Sequence, residues 1–167
     1  MTEKSLRITH PFSPVCDKNS RILILGSLPS EASRAAGFYY MHPRNRFWQT
    51  MSVLLKEDLT SLSAEQKATA LLKHNVAISD VILSCEIHRS ADASIKNAVC
   101  TDVDSLVSAG VQHVFLNGQK AYALFLKHFP QYASIASCLP STSPANAKFS
   151  LADLTKIWGE AILPYLQ

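Results

Sequence analysis

The stretch GFYYMHPRNRFWQT, residues 37–50, concentrates side chains that can bind a ligand. Aromatic rings stack on flat molecules, arginines hold anions such as phosphates, and a carboxamide both donates and accepts hydrogen bonds. Core packing explains the apolar residues of this stretch but not its polar ones, so the sequence predicts that something is bound here. The candidates, which fall within eight positions, are Tyr39, Tyr40, His42, Arg44, Asn45 and Arg46.

Further polar or turn-forming residues follow short apolar runs elsewhere in the chain. The segment Gly26-Ser27-Leu28-Pro29-Ser30 follows RILILG, Asp80 follows VAIS, Asn117 follows VQHVFL, and PSTSPANA (140–147) follows SIASCL. Each also has a structural explanation, as a tight turn at 26–30, a helix cap at Asp80, a turn at Asn117 and a surface loop at 140–147. For Asp80 a functional role is an equal alternative, because the end of a buried strand would face a cleft.

The elements that must position these residues alternate along the chain. Apolar runs predict strands at 21–26, 76–79, 111–118 and 134–139. Helical spacing and end signals predict helices at 45–56, 63–74, 101–110, 119–129 and 150–163. Strands alternating with helices predict an α/β fold, a three-layer αβα arrangement with a central four-stranded parallel sheet. Ligands of such sheets bind at the carboxyl ends of the strands, so the polar segments should converge on one cleft.

Composition sets the broad class. The chain has 167 residues, 47% of them hydrophobic and 17% charged, with a net charge of +3, which predicts one globular domain over residues 1–167. Four cysteines without a C-x-x-C pair and six histidines without i,i+4 pairing favour no metal site and no cofactor. The charged, proline-containing first twelve residues do not resemble a signal peptide, and no apolar run reaches the ~18 residues of a membrane span. We therefore expect a cytoplasmic protein.

The segment Gly37–Trp48 resembles the uracil-DNA glycosylase superfamily. In the mismatch-specific branch, a Gly-aromatic-x-aromatic segment runs into His-Pro-x-Asn-Arg-Phe-Trp after a first strand and a Gly-x-Asn-Pro-type motif. The loop from Leu139 to Pro144 looks like the second motif, a His- or Asn-Pro-Ser loop that presses into the DNA minor groove. The resemblance extends from about residue 20 to 165 and implies the fold of that superfamily.

Two positions depart from the common pattern of the superfamily. Leu28 stands where typical members carry the Asn or Asp that positions the attacking water, and Leu139 stands where they carry a His or Asn that stabilises the departing base. The combination with Asp80-Val-x-x-Ser-Cys-Glu86 looks like the hypoxanthine (deoxyinosine) DNA glycosylase branch, which also lacks the usual first-motif residue. That resemblance implies Asn45 as the critical catalytic side chain. With Leu28 and Leu139 in place of the usual polar residues, we expect a slow enzyme that relies on a good leaving group.

The resemblance also implies roles for the remaining candidates. Asp80 would join Asn45 as a catalytic and base-reading residue, and Tyr40 would stack on the flipped base. The other predicted base contacts are Gly26, Ser27, Leu28 and Asn117. The predicted DNA contacts are Arg44, Arg46, Ser141, Thr142, Ser143 and Lys148.

Several alternatives stay open from the sequence. Arg46 could instead be a structural arginine tied to a carboxylate. Phe38, Phe47 and Trp48 should pack inward, and Tyr39 could either pack inward or stack on the base. The function expected is excision of deaminated bases from DNA, first of all hypoxanthine, by a monomer. The alternatives are a uracil glycosylase of the mismatch-specific or single-strand type, a catalytically inactive nucleic-acid-binding domain, and an unrelated nucleotide-binding domain.

Overall fold

The computed structural model describes residues 5–9, 13–28, 30–88 and 95–166; Pro29 of the first motif and the first four residues lie outside this part of the chain. The strands are β1 Ser5–Thr9, β2 Ile22–Gly26, β3 Val76–Asp80, β4 Ile82–His88, β5 Ile95–Cys100, β6 His113–Asn117 and β7 Ala136–Leu139. The helices are α1 Glu31–Ala36, α2 Phe47–Leu55, α3 Ala64–Lys73, α4 Val103–Ser108, α5 Gln119–His128 and α6 Leu151–Leu166, with a 3-10 helix at Pro130–Ile135.

The four predicted strands form one parallel sheet, in the order β3-β2-β6-β7, which confirms the predicted architecture. The register pairs Gly26 with Asp80 and Asn117 with Leu139. The chain passes from β2 to β3 on one side and reaches β6 on the other. The carboxyl ends of β2 and β6 therefore make the switch point at which open α/β sheets bind ligands.

Helices cover both faces of this sheet. The side chains of β2 point alternately to the two faces, and all of them are apolar, so each face needs a covering layer. Ile22 and Ile24 pack in a core that also holds Phe47 and Met51 of α2, and Leu23 and Leu25 pack in a second core. All four β2 side chains are fully buried, and burial of each contributes about 1.5–3 kcal/mol. The first core also takes Leu71 of α3 and Trp158 of α6, and the second takes Val103 of α4 and Phe125 of α5.

A second sheet was not predicted. Strands β1, β4 and β5 form a three-stranded antiparallel sheet, in the order β1-β4-β5. Polar residues interrupt the apolar pattern of ILSCEIH (82–88) and IKNAVC (95–100), so neither segment stands out as a strand by periodicity. The short helix α1, which begins after the Ser30 cap, was not predicted either.

Helix ends follow the predicted signals closely. The capping box at α3 is present, with Ser63 and Gln66 each bonded to the other's backbone. Ser150 and Asp153 form the equivalent pair at the start of α6. The strand expected from residue 134 begins at 136, because Pro130–Ile135 form a 3-10 helix first.

Candidate active site

The ends of β2 and β3 bring Gly26 and Asp80 into direct contact. Asp80 Oδ1 lies 2.5 Å, and the Tyr40 hydroxyl 3.1 Å, from the point that a β-carbon on Gly26 would occupy. Any side chain at position 26 would collide with the carboxylate, so glycine is required for this close approach. Asp80 is 3% exposed. Together, Gly26 and Asp80 form a polar floor at the carboxyl edge of the sheet.

Asp80 is not a helix cap, so that structural interpretation of the residue is wrong. After Val81 the chain continues into strand β4 rather than into a helix. The main-chain carbonyl of Asp80 accepts a hydrogen bond of 2.5 Å from the Thr101 hydroxyl, which fixes the backbone at this turn between strands. The carboxylate side chain lies at the floor beside Gly26.

Three of the clustered aromatic residues anchor the loop that carries Tyr40. Phe38 stacks on Trp48 with ring centroids 5.8 Å apart, and the Trp48 indole donates to the Tyr39 carbonyl. The Tyr39 hydroxyl donates to the Ser13 carbonyl over 3.1 Å, and Tyr39 is 1% exposed. The predictions of inward packing for Phe38, Phe47 and Trp48 are confirmed, and Tyr39 also faces inward.

Tyr40 differs from its neighbours in both backbone and environment. Its φ of 56° lies in the left-handed region, which is uncommon for a bulky residue and turns the ring away from the direction of Tyr39. The ring stacks on Phe47 with centroids 4.0 Å apart, and the residue remains partly exposed. Its hydroxyl is buried and has no hydrogen-bond partner among the described residues. Burial raises the pKa of this phenol, and the charge of Asp80 raises it further. The nearby Asn117 amide lowers the pKa in part.

One atom of the Asn45 carboxamide, the oxygen Oδ1, already has hydrogen-bond partners within the protein. Its Oδ1 accepts hydrogen bonds from the Phe47 amide over 2.9 Å and from the Thr142 hydroxyl over 2.8 Å. A carbonyl oxygen has two lone pairs, so both are used. Among the described residues the Nδ2 group of Asn45 donates to none, which leaves its two protons for a ligand.

Thr142 is the centre of a hydrogen-bonded cluster rather than a surface residue. It is 0% exposed. Its amide donates to Asn117 Oδ1 and its hydroxyl accepts from Asn117 Nδ2, both over 3.0 Å. Its carbonyl accepts from the Arg46 amide over 3.0 Å. Every polar atom of Thr142 is used inside the protein, and its predicted contact with DNA stays a prediction.

Arg46 is likewise structural. Its guanidinium donates to the main-chain carbonyls of Phe149, Ser143 and Asn146, the last two over 3.1 and 2.9 Å. The alternative of a structural arginine is therefore observed, although its partners are carbonyls and not a carboxylate. The phosphate contact of Arg46 stays a prediction. Asn146, which sequence reasoning missed, adds a bond from its side chain to the Ser141 carbonyl.

The remaining predicted DNA contacts lie on the outer side of the same segments. Arg44 and Lys148 are exposed. Ser141 Oγ accepts from the Ser143 amide, and Ser143 Oγ accepts from the Ala145 amide. No acceptor for either hydroxyl proton is found in residues 5–9, 13–28, 30–88 and 95–166, so both serines can donate to a phosphate.

The other predicted base contacts are polar at Ser27 and Asn117 and apolar at Leu28. Asn117 and Ser27 are partly buried, and the Ser27 carbonyl accepts from the Ile82 amide over 3.0 Å. Leu28 packs against the second core, and Leu139 is 4% exposed in the first. Neither leucine offers a polar group to the cleft. Within the described part of the chain, no cluster of His, Cys, Asp and Glu could hold a metal ion, and no helix there is long and apolar enough to cross a membrane.

Comparisons with known proteins agree with this geometry. A family model described as the uracil DNA glycosylase superfamily matches residues 13–162. A curated protein of Methanosarcina barkeri named hypoxanthine DNA glycosylase is 32% identical over 90% of this chain and 95% of its own length. One of the same name from Methanosarcina acetivorans is 32% identical over 86% and 91%. The solution NMR structure of a candidate uracil DNA glycosylase from M. acetivorans superposes with a TM-score of 0.73 at 29% identity, over 93% of this chain and 98% of that one.

Proposed function

This chain belongs to the uracil-DNA glycosylase superfamily, and from that premise we propose that it is a DNA glycosylase that removes hypoxanthine from deoxyinosine. The two curated relatives that are named hypoxanthine DNA glycosylase support this substrate. A base within a duplex cannot be reached, so the enzyme must flip it out of the helix at a cost of a few kcal/mol. The single-domain, monomeric state remains a prediction, since neither step needs a second chain.

The observation that carries the proposal is the Asp80 carboxylate, buried beside Gly26 at the floor of the cleft. A carboxylate accepts hydrogen bonds and cannot donate them. Hypoxanthine presents a ring N–H at the position where adenine has a bare nitrogen, whose lone pair would face the carboxylate. A site built around one hydrogen bond strongly rejects the ligand that lacks it. Asp80 thus gives a physical basis for removing the deaminated base and leaving adenine in place.

Asn45 is proposed as the donor that stabilises the departing base. As hypoxanthine leaves the sugar, negative charge develops on its ring nitrogens and carbonyl oxygen. A fixed N–H donor stabilises such charge in the transition state. Because both lone pairs of Asn45 Oδ1 are already occupied, the free Nδ2 group favours this role over the alternative, in which the amide oxygen accepts a hydrogen bond from the attacking water and orients it.

Tyr40 is proposed to stack on the flipped base. Phe47 supports one face of the ring at 4.0 Å, and the residue is partly exposed. Stacking on an aromatic side chain contributes about 1–3 kcal/mol per base, which offsets part of the flipping cost. Leu28 and Leu139 stand where typical members carry the residues that position the water and stabilise the departing base, so excision should be slow.

The decisive experiment compares Asn45→Asp with Asn45→Ala. Purified proteins are incubated with oligonucleotides that carry one deoxyinosine, one deoxyuridine or neither, and abasic sites are then cleaved with alkali. Aspartate keeps the acceptor for Phe47 and Thr142 but removes the donor, so both variants should lose about a hundredfold or more of the inosine activity. Asn19→Asp, at an exposed position, is the matched control and should keep full activity.

The outcomes separate the alternatives. If Asn45→Asp stays active while Asn45→Ala does not, the amide acts as an acceptor and the donor role is wrong. Cleavage at deoxyuridine alone would instead support a uracil glycosylase, since uracil presents a comparable ring N–H to Asp80. Cleavage at neither base would contradict the glycosylase proposal altogether.

A further inference from the structure

Thr142 links three parts of the chain that meet at the cleft. Its hydroxyl donates to Asn45 Oδ1 and accepts from Asn117 Nδ2, and its amide donates to Asn117 Oδ1. We propose that Thr142, backed by Asn117, is a positioning residue that fixes the orientation of the Asn45 carboxamide. The inference rests on the proposed function, in which Asn45 donates a hydrogen bond to the departing base.

The hydrogen bonds of this cluster permit only one orientation of the Asn45 carboxamide. The Phe47 amide can only donate, so the atom of Asn45 that faces it must be the carbonyl oxygen. The single hydroxyl proton of Thr142 must then point to that oxygen as well. The hydroxyl consequently has only lone pairs to offer Asn117, whose Nδ2 donates. A flipped Asn45 would set its NH₂ group against the Phe47 N–H, so the cluster holds Nδ2 as the outward atom.

Burial makes this arrangement rigid. Thr142 is fully buried and its carbonyl is bonded to the Arg46 amide, so solvent cannot replace its hydroxyl as the partner of Asn45. Without the hydroxyl, one lone pair of Asn45 Oδ1 and one proton of Asn117 Nδ2 would lose their partners. The carboxamide would then be held by the Phe47 amide alone and could rotate about its side-chain bonds.

The test uses Thr142→Val, which keeps the shape and removes the hydroxyl, against Thr142→Ser, which keeps the hydroxyl. Single-turnover excision of hypoxanthine should fall about tenfold to a hundredfold in the valine variant, as expected for a displaced catalytic group, and should remain within about threefold of wild type in the serine variant. DNA affinity, measured by fluorescence anisotropy, should change by less than about twofold in both, because Thr142 is fully buried and the hydroxyl is bonded only within the protein.

A double-mutant cycle shows whether Thr142 acts through Asn45. In the Asn45→Ala background, Thr142→Val should cause no further loss, because no carboxamide remains to be oriented. An equal further loss in that background would overturn the proposal, as would a valine variant with wild-type single-turnover rate. If the valine variant fails to fold, Asn117→Asp replaces the Nδ2 group that donates to the Thr142 hydroxyl with an oxygen that competes with Asn45 for the hydroxyl proton, and it should show the same non-additivity with Asn45→Ala.

A readout that does not need activity separates this inference from the proposed function. The side-chain NH₂ signals of Asn45 in a ¹⁵N-labelled protein should shift in Thr142→Val and remain near their wild-type positions in Thr142→Ser. Unchanged signals in the valine variant would overturn the positioning role. If wild type removes neither base, the proposed function fails, but these signals still decide whether Thr142 orients Asn45.

Discussion

The inner and outer sides of the loop between β7 and α6, residues 140–150, contain similar residues that do different work. On the inner side, Thr142 is buried and the carbonyls of Ser143, Asn146 and Phe149 bind the Arg46 guanidinium. On the outer side, Pro144, Ala145 and Lys148 are exposed. Two arginines of the facing segment divide in the same way, since Arg46 points into the protein and Arg44 is exposed. The inner side of the loop thus fixes the geometry of the candidate site, and the outer side carries the predicted contacts with DNA.

Removal of the Arg46 side chain should remove the hydrogen bonds that hold the inner side of the loop, and we expect it to have the largest effect on stability and excision. Hydrogen bonds to a charged group contribute about 1.5–3 kcal/mol each, and three are lost together, so Arg46→Ala should lower the free energy of unfolding by about 3 kcal/mol or more. Excision should fall in parallel, because the loop that carries Thr142 is released. Urea denaturation followed by the inosine assay measures both, with Arg44→Ala as the matched control. Equal stabilities of the two alanine variants would contradict the division of the loop.

Tyr40 lies outside this loop, beside Gly26, and its variants test how the base is held. Tyr40→Leu removes the stacking ring and should slow excision by about tenfold or more, the equivalent of about 1–3 kcal/mol. Tyr40→Phe keeps the ring and removes a buried hydroxyl that has no partner among the described residues, so excision should persist and stability should stay equal or rise. Single-turnover rates and urea midpoints of the two variants measure this. A phenylalanine variant as slow as the leucine variant would show that the hydroxyl, not the ring, contacts the substrate.

Changes on the outer side should have the smallest effects and should concern binding alone. Arg44→Ala and Lys148→Ala should each weaken DNA binding by a few-fold and reduce the slope of log K against log salt by about one, as expected for one lost phosphate contact. Stability should stay within about 0.5 kcal/mol of wild type, and the excision rate at saturating enzyme should not change. A salt titration by fluorescence anisotropy measures the slope. An unchanged slope in both variants would show that DNA does not lie on this side.

Much of the fold could be predicted because its signals are local. The apolar run ending at Gly26, the capping box at Ser63 and the alternation of strands and helices each depend on residues within one element. The antiparallel sheet could not be predicted in this way, because polar residues interrupt the apolar pattern of β4 and β5.

The candidate site divides along the same line. Sequence singled out Asn45, Asp80 and Tyr40 by type and motif, and the structure places Tyr40 and Asp80 around Gly26 and bonds Asn45 to Thr142. The inward direction of Arg46 and Thr142 carried no local signal. Arg44 and Arg46 stand two positions apart in one motif, and what separates them is a set of carbonyls about a hundred residues further along the chain.

That distance along the chain has a consequence for folding. Asn45 and Thr142 are 97 residues apart, and Arg46 and Phe149 are 103 apart, so the contacts that complete the site are among the most non-local in the molecule. A chain that ends before residue 139 can contain β2, β3 and β6, yet it supplies only the Phe47 amide to orient the Asn45 carboxamide. Non-local contacts carry the entropic cost of closing long loops. The proposed chemistry therefore depends on the last quarter of the polypeptide, although the proposed catalytic amide lies in the first third.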